Sequence, residues 1–361
     1  MKKKIIHFIF NLGRGGAETI VVAEINGLPE YEHVVVTLFP MNHFEGELFC
    51  DKLICLNLKS LFGLPFSLLK FRKLIKKERP DLIHTHLFWP TTIARIVTPK
   101  KIPLITTIHA FIASSVEYKK WFIRVIDKIS YRFRKSIILA DAQGALDEYF
   151  SFLKLKPFKT YCLYTFADIN RFTTAKITKA NATNGVFKFV SVGALRKQKN
   201  QVYLIEAFSK IKEYPVELHI YGCGDLDKVL QQKIDATGAK VVLKGEIKNV
   251  ETVVPQYDAY IMSSTYEGFS LAVLEAMAMA MPLLLSDMPS FKEQCDDTAV
   301  YFDLNNINSL VEKVLLFSKM PEGELDVLAK KAQQRMTSNY TLTHHLNILK
   351  SIYSNTLNDY Q

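Results

Sequence analysis

The sequence predicts two doubly wound α/β domains, on three observations. Short runs of Val, Ile, Leu and Phe recur along the whole chain. Most are apolar throughout rather than alternating, as expected of strands buried on both faces of a parallel sheet. Amphipathic, helix-like stretches separate them in regular alternation. The length of 361 residues exceeds one small core and suits two domains of roughly 150 residues each.

In order, the first half carries strand-like runs at 4–12, 33–39, 52–58, 81–86, 103–109 and 136–142, with helical stretches at 16–26, 67–77 and 117–134. The second half carries strand-like runs at 187–193, 216–222, 240–245, 258–263, 282–287 and 299–303, with helices at 201–211, 225–236 and 270–280. Residues 167–185 are rich in Thr, Asn and Lys, lack apolar periodicity, and read as a linker. The chain from Ile307 onward reads as helical. The expected domains are therefore 1–166 and 186–339, with a helix at about 340–361 packing back on the first. Such domains bind ligands at the C-terminal ends of their strands, in the cleft between them.

Apolar residues at 48% and charged residues at 23% exclude disordered, collagenous and low-complexity architectures. Cys50, Cys55, Cys162, Cys223 and Cys295 are odd in number and scattered, with no Cys-x-x-Cys. This argues against a disulfide framework or a cysteine zinc site and fits a reducing, cytoplasmic compartment. Lys2, Lys3 and Lys4 precede an apolar run, but the run is short and broken by His7, so it reads as a buried strand rather than a signal peptide. No uncharged run is long enough to span a membrane. The net charge of +10 favours anionic partners.

Three motifs carry chemistry. Gly13-Arg14-Gly15-Gly16-Ala17-Glu18 lies between the first strand and a helix, where backbone amides can approach an anion. It lacks Gly-x-Gly-x-x-Gly spacing, and no acidic residue closes the next strand, which disfavours a dinucleotide cofactor. After the strand ending at Gly193 come Arg196, Lys197 and Lys199, three cations before a helix start, suited to a phosphate. The block Tyr266 to Ala276 holds Glu267 and Glu275, eight residues apart. Gly268 places Glu267 in a loop, Ser270 reads as an N-cap, and Glu275 falls on the second turn of a buried helix. The amides of Gly268, Phe269, Ser270 and Leu271 would then face a phosphate.

The Glu-x7-Glu block with Met277-Ala278 and Pro282 resembles the signature of the family-4 retaining glycosyltransferases, glycosyl transferases group 1. The Gly-Gly-Ala-Glu loop, the strand ending in His109, and Val192-Gly193 through Lys199-Asn200 follow in the family's order, so the resemblance covers nearly the whole chain. It implies the GT-B fold, two Rossmann-like domains, with the nucleotide sugar bound mainly by the second. It further implies that Glu267 holds donor-sugar hydroxyls, Glu275 the ribose and Lys199 the diphosphate. Gly15 and Gly16 would close over the phosphates. The base would lie near Gly222 and Gly245 to Ile247, with Gly193 in the phosphate loop. His109 matches the family's histidine at the donor–acceptor junction; on the sequence alone it equally fits a satisfied core histidine. The chain departs from the pattern at Ala194, where the family has Arg and Arg196 is the substitute, and at Ala280, where the family has Gly and a packing change is expected.

The resemblance implies transfer of a hexosyl residue from a nucleotide sugar, UDP-sugar first and GDP-mannose second. The acceptor would be a saccharide or lipid-linked saccharide in bacterial surface polysaccharide biosynthesis, lipopolysaccharide or capsule. No metal and no cofactor are expected. Other GT-B enzymes (an epimerase or a phosphorylase) and a non-catalytic GT-B subunit are the alternatives. Basic and aromatic residues interleave at 70–77 and 118–135. This predicts peripheral attachment to the anionic inner face of the plasma membrane rather than nucleic-acid binding, for which no motif is present.

Overall fold

The computed structural model describes residues 2–109, 111–112, 117–173 and 185–360. The chain forms two compact units, Met1–Thr165 with Thr343–Gln361, and Phe166–Leu342. The first is built on strands β1 (Lys4–Ile9), β2 (Glu32–Thr37), β3 (Lys52–Cys55), β4 (Leu82–His86), β5 (Leu104–Ile108), β6 (Ile137–Ala140) and β7 (Thr160–Cys162). They form one parallel sheet in the order β3-β2-β1-β4-β5-β6-β7. Helices α1 (Gly16–Gly27), α2 (Leu64–Glu78), α3 (Phe88–Val97), α4 (Trp121–Phe133) and α5 (Gln143–Leu153) connect them.

The second unit opens with α6 (Ile169–Thr173) and holds the parallel sheet β10-β9-β8-β11-β12-β13. Its strands are β8 (Phe187–Val192), β9 (Val216–Tyr221), β10 (Val241–Gly245), β11 (Ala259–Met262), β12 (Leu283–Ser286) and β13 (Val300–Phe302). Helices α7 (Gln201–Ser209), α8 (Asp227–Thr237), α9 (Val250–Val253), α10 (Leu271–Ala278) and α11 (Pro289–Cys295) alternate with them, and α12 (Ile307–Lys319) and α13 (Glu322–Asn339) follow. The last helix, α14 (Leu342–Asn358), belongs to the first unit: Leu349, Ile352, Tyr353 and Leu357 pack with Ile5, Leu82, Ile105 and Ile137.

Every expected strand run is a strand, and all but those at 81–86 and 240–245 are shortened at the C-terminal end. The trimmed residues, such as His109, Gly193, Gly222 and Ser263, open the loops beyond the C-terminal strand ends. The expected linker needs correction at its start, because Ile169–Thr173 is helical, with Phe172 buried. Residues 174–184 lie outside those described. The helix expected at 117–134 begins only at Trp121.

Helix α4 is fixed by a buried ion pair. Arg95 of α3 pairs with Asp127, and Arg95 Nη2 also donates to Tyr149 Oη at 3.2 Å. Tyr118 Oη and Tyr149 Oη donate to Asp127, so both charges are fully hydrogen-bonded and tolerate burial. With Ile123, Asp127, Ser130 and Tyr131 turned inward, α4 shows solvent Trp121, Phe122, Val125, Ile129 and Phe133.

Candidate active site

In open parallel sheets a ligand sits beyond the C-terminal strand ends, where the strand order reverses. In the second unit that point lies between β8 and β11. The loop after β8 brings Lys199 and the loop after β11 brings Glu267, and they meet: Lys199 Nζ lies 2.6 Å from Glu267 Oε1. Ser264 Oγ donates to the same oxygen at 2.7 Å. The loops are tied by Thr265 N–H to Gln198 O at 2.9 Å, and by Ser263 Oγ to the carbonyls of Lys199 and Asn200, each at 3.0 Å. Glu267 is thus a buried carboxylate with one free oxygen and a cation beside it, suited to hold hydroxyl groups next to a phosphate.

The loop after β8, expected to hold a phosphate, is built by close backbone contact. Gly193 N–H donates to Tyr221 O at 2.9 Å, and Leu195 N–H to Cys223 O at 3.0 Å. Gly222 has φ +146°, and a Cβ there would lie 2.0 Å from the Gly193 carbonyl oxygen, so no other residue fits. Lys199 lies along Gly193, its Cε 3.4 Å from where a Cβ would be. Arg196 is exposed, with no side-chain hydrogen-bond partner among the described residues. Gly222 N–H donates to Gly245 O at 2.8 Å, which joins the ends of β9 and β10 beside half-buried Ile247.

Two expectations about 268–271 are corrected. Ser270 does occupy the N-cap of α10, but its hydroxyl makes no cap bond. Gln294 caps instead: its Oε1 accepts from Ser270 N–H at 3.0 Å and its Nε2 donates to Ser270 O at 2.9 Å. The Ser270 amide is therefore taken. The Phe269 side chain is buried edge-on against Tyr340, which leaves the expectation about its amide unchanged. Gly268 and Leu271 are half-buried. Ala280 also needs correction: it follows α10 with φ +53°, so the missing glycine is a matter of backbone strain, not packing.

Glu275 sits half-buried on α10, and its pKa is pushed up to about 7 by burial. Arg171 opposes that rise and Glu251 adds to it. Arg171 itself is paired with Glu251 at 2.9 Å. A carboxylate this poorly solvated gains from hydroxyl donors.

In the first unit the corresponding point lies between β1 and β4. Gly15 is the N-cap of α1 and Gly16 its first residue, both exposed. A cavity of about 380 Å³ opens there, lined among others by Gly16, Ala17, Thr107, His109 and Tyr118. His109 Nε2 is 3.1 Å from His86 Nδ1, while its Nδ1 is buried without a partner. Burial, helped by His345, lowers its pKa to about 4, so it is a neutral imidazole with one unmet polar atom rather than a satisfied core residue. The sequence reading missed Ser264 and Gln294. The polar run Ser263-Ser264-Thr265 at a strand end was a usable signal for the first; nothing in the sequence marks Gln294.

Among the described residues no helix is long and apolar enough to cross a membrane. Comparison with known proteins gives two family matches. The model of "Glycosyltransferase Family 4" matches residues 14–171, and that of "Glycosyl transferases group 1" matches 173–336. An Escherichia coli UDP-Gal:alpha-D-GlcNAc-diphosphoundecaprenol alpha-1,3-galactosyltransferase is 24% identical over 80% of this chain and 78% of its own. A Campylobacter jejuni diphospho-undecaprenol 4-alpha-N-acetylgalactosaminyltransferase is 26% identical over 86% of this chain and 88% of its own. Among solved structures, Anabaena Alr3699/HepE with UDP and glucose superposes with a TM-score of 0.80 at 16% identity, over 98% of this chain and all (100%) of that one. With both sheets in GT-B order and the two family models together spanning most of its length, the chain belongs to the GT-B glycosyltransferases of the group 1 and family 4 type.

Proposed function

We propose that this protein transfers a hexosyl residue from a nucleotide sugar to a lipid-linked saccharide with retention of configuration, in the assembly of a bacterial surface polysaccharide. A UDP-sugar is the first choice of donor and GDP-mannose the second. The observation that carries the reading is the Lys199–Glu267 pair beside a glycine-built phosphate loop. The names of the two undecaprenol-diphosphate relatives support the acceptor class.

In this reading Glu267 accepts hydroxyls of the donor sugar and Glu275 those of the ribose. Lys199 and Arg196 stabilise the leaving diphosphate in place of a metal, Arg196 supplying the cation absent at Ala194. Gly16, Gly193 and Gly268 let backbone amides approach the phosphates. As the bond from the anomeric carbon to the diphosphate breaks, charge builds on the phosphate oxygens, where cations stabilise the transition state most. The acceptor hydroxyl attacks from the same face, and the departing phosphate takes its proton. Neutral His109, its Nε2 engaged by His86, contributes its remaining nitrogen, Nδ1, at the junction.

In the outward stripe Trp121, Val125, Ile129 and Phe133 repeat at every fourth residue, with Phe122 next to Trp121 and Arg124, Lys128 and Arg132 beside them. This supports α4 as an interfacial helix on an anionic membrane, each cation adding about 1 kcal/mol. Arg134 is not among them, because its Nη2 donates to Ile102 O at 2.7 Å.

The test offers UDP- and GDP-sugars with an undecaprenyl-diphosphate saccharide in phosphatidylglycerol vesicles. The expected result is one accepted donor, an α-configured product, and a loss of 10²–10³ in kcat for Lys199→Ala. Turnover of the donor without acceptor would turn the reading towards an epimerase. Replacing Trp121 and Phe122 by Ser, with Arg124 and Arg132 by Gln, should release the protein from the vesicles.

A further inference from the structure

Inside the first unit, imidazoles from separate elements converge. His7 comes from β1, His84 and His86 from β4, and Glu24 from α1, all buried. One ligand-capable atom of each lies within 4.8 Å of the others. The alternation in Ile83-His84-Thr85-His86 puts both β4 histidines on one face of the sheet, and register pairs His7 with His84.

Three of these side chains end in polar atoms without a partner among the described residues: His7 Nδ1, Glu24 Oε2 and His86 Nε2. The surrounding bonds fix what one of them offers. Leu28 O can only accept, so His33 donates to it from Nε2 at 2.8 Å. His33 Nδ1 is then an acceptor, and His7 donates to it from Nε2 at 3.1 Å. His7 Nδ1 is left as a bare lone pair. Burial keeps His7 and His86 neutral, which is the form that binds metal. Glu24 Oε1 is engaged by His345 Nε2 at 3.1 Å, leaving Oε2 for the cluster. His84 is held on both nitrogens, by Tyr353 Oη at 2.7 Å and Thr107 Oγ1 at 2.6 Å, and lines the site without being free to ligate.

We propose that His7 Nδ1, Glu24 Oε2 and His86 Nε2 bind one divalent first-row transition cation, with water in the fourth position. Two imidazoles and a carboxylate suit a zinc-class ion, and the ion gives partners to three buried atoms that have none. The ligand set needs no cysteine, so the scattered thiols do not bear on it. Coordination at His86 Nε2 puts the His86 proton on Nδ1, which donates to His109 Nε2. His109, a lining residue of the cavity, then carries its own proton on the buried Nδ1. The ion thus acts as a positioning element for His109, and the inference stands independently of the donor and acceptor proposed above.

The test strips the full chain with a chelator, reloads it with Zn2+ alone, and measures stoichiometry after desalting and the X-ray absorption edge. One equivalent is expected, in a nitrogen and oxygen shell with two imidazoles. Glu24→Gln and His86→Gln should each weaken Zn2+ binding tenfold or more, while Cys223→Ser, an exposed thiol, leaves it unchanged. Absence of a retained equivalent in the wild type, sulfur in the first shell, or unchanged affinity in both site variants overturns the proposal. The wild-type spectrum decides the matter by itself if a buried variant fails to fold.

Discussion

Each sheet places glycines just past a strand, after β1 in the first unit and after β9 in the second, yet packing constrains them differently. In the second unit the glycines are demanded by the protein's own backbone: at Gly222 a side chain would strike the Gly193 carbonyl at 2.0 Å, and at Gly224 the Leu195 carbonyl at 2.5 Å. In the first unit a Cβ on Gly16 meets nothing within 4 Å. A Cβ on Gly15 meets only the movable end of Glu18. Packing does not require these glycines, and in the function proposed above they leave room for the donor phosphates. The same letters in a sequence thus mark a folding constraint in one loop and open space in the other.

The contrast is broken most severely by alanine. Gly222→Ala should cost about 3 kcal/mol or more, because backbone must move. Gly16→Ala should leave stability within about 0.5 kcal/mol of the wild type while lowering transfer tenfold or more. Urea melts beside initial rates measure both. Equal stability losses at the two sites would erase the distinction.

A middle-sized effect comes from the half-buried carboxylates that follow the loops. Burial raises the pKa of Glu18, and that of Glu275 to about 7 from an ordinary 4.5. Between those two values the folded chain keeps a proton on Glu275 that the unfolded chain has lost. Stability therefore falls as pH rises through this window. Glu275→Gln should lack that slope, and so be more stable than wild type by about 1–3 kcal/mol at pH 8, converging with it near pH 4.5. Parallel pH profiles for the two proteins would contradict this.

The smallest effect tests a glycine that is missing. Ala280 holds φ +53° at the end of α10, and Ala280→Gly should raise stability by about 1 kcal/mol, read as a shift in melting temperature.

Strands were legible because burial on both faces leaves an apolar run whatever the neighbours are. Strand β7 was not, because Thr160–Cys162 is short, at the edge, and half-buried. Helix α3 was hidden for the opposite reason: most side chains of Phe88–Val97 are buried and the exposed Ile96 is itself apolar, so no polar face marks a period, and Pro90 reads as a breaker. In the site, Lys199 and Glu267 could each be picked out by local motif. Their mutual contact across 68 residues comes only from the strand order. The histidine cluster draws on β1, β4 and α1, and no stretch of sequence shows it whole.

The return of α14 to the first unit has a consequence in time. A ribosome releases the chain from its N-terminus, so β1 to β7 emerge while the segment carrying Leu349, Ile352, Tyr353 and Leu357 is still unmade. The intervening residues, Phe166–Leu342, take roughly 10–40 s to synthesise at about 5–20 residues per second. Throughout that interval Ile5, Leu82, Ile105 and Ile137 lack their cover, whereas the second unit is continuous and free to fold at once. The half of the molecule made first is the half finished last, and it is the one that a nascent-chain chaperone would find open.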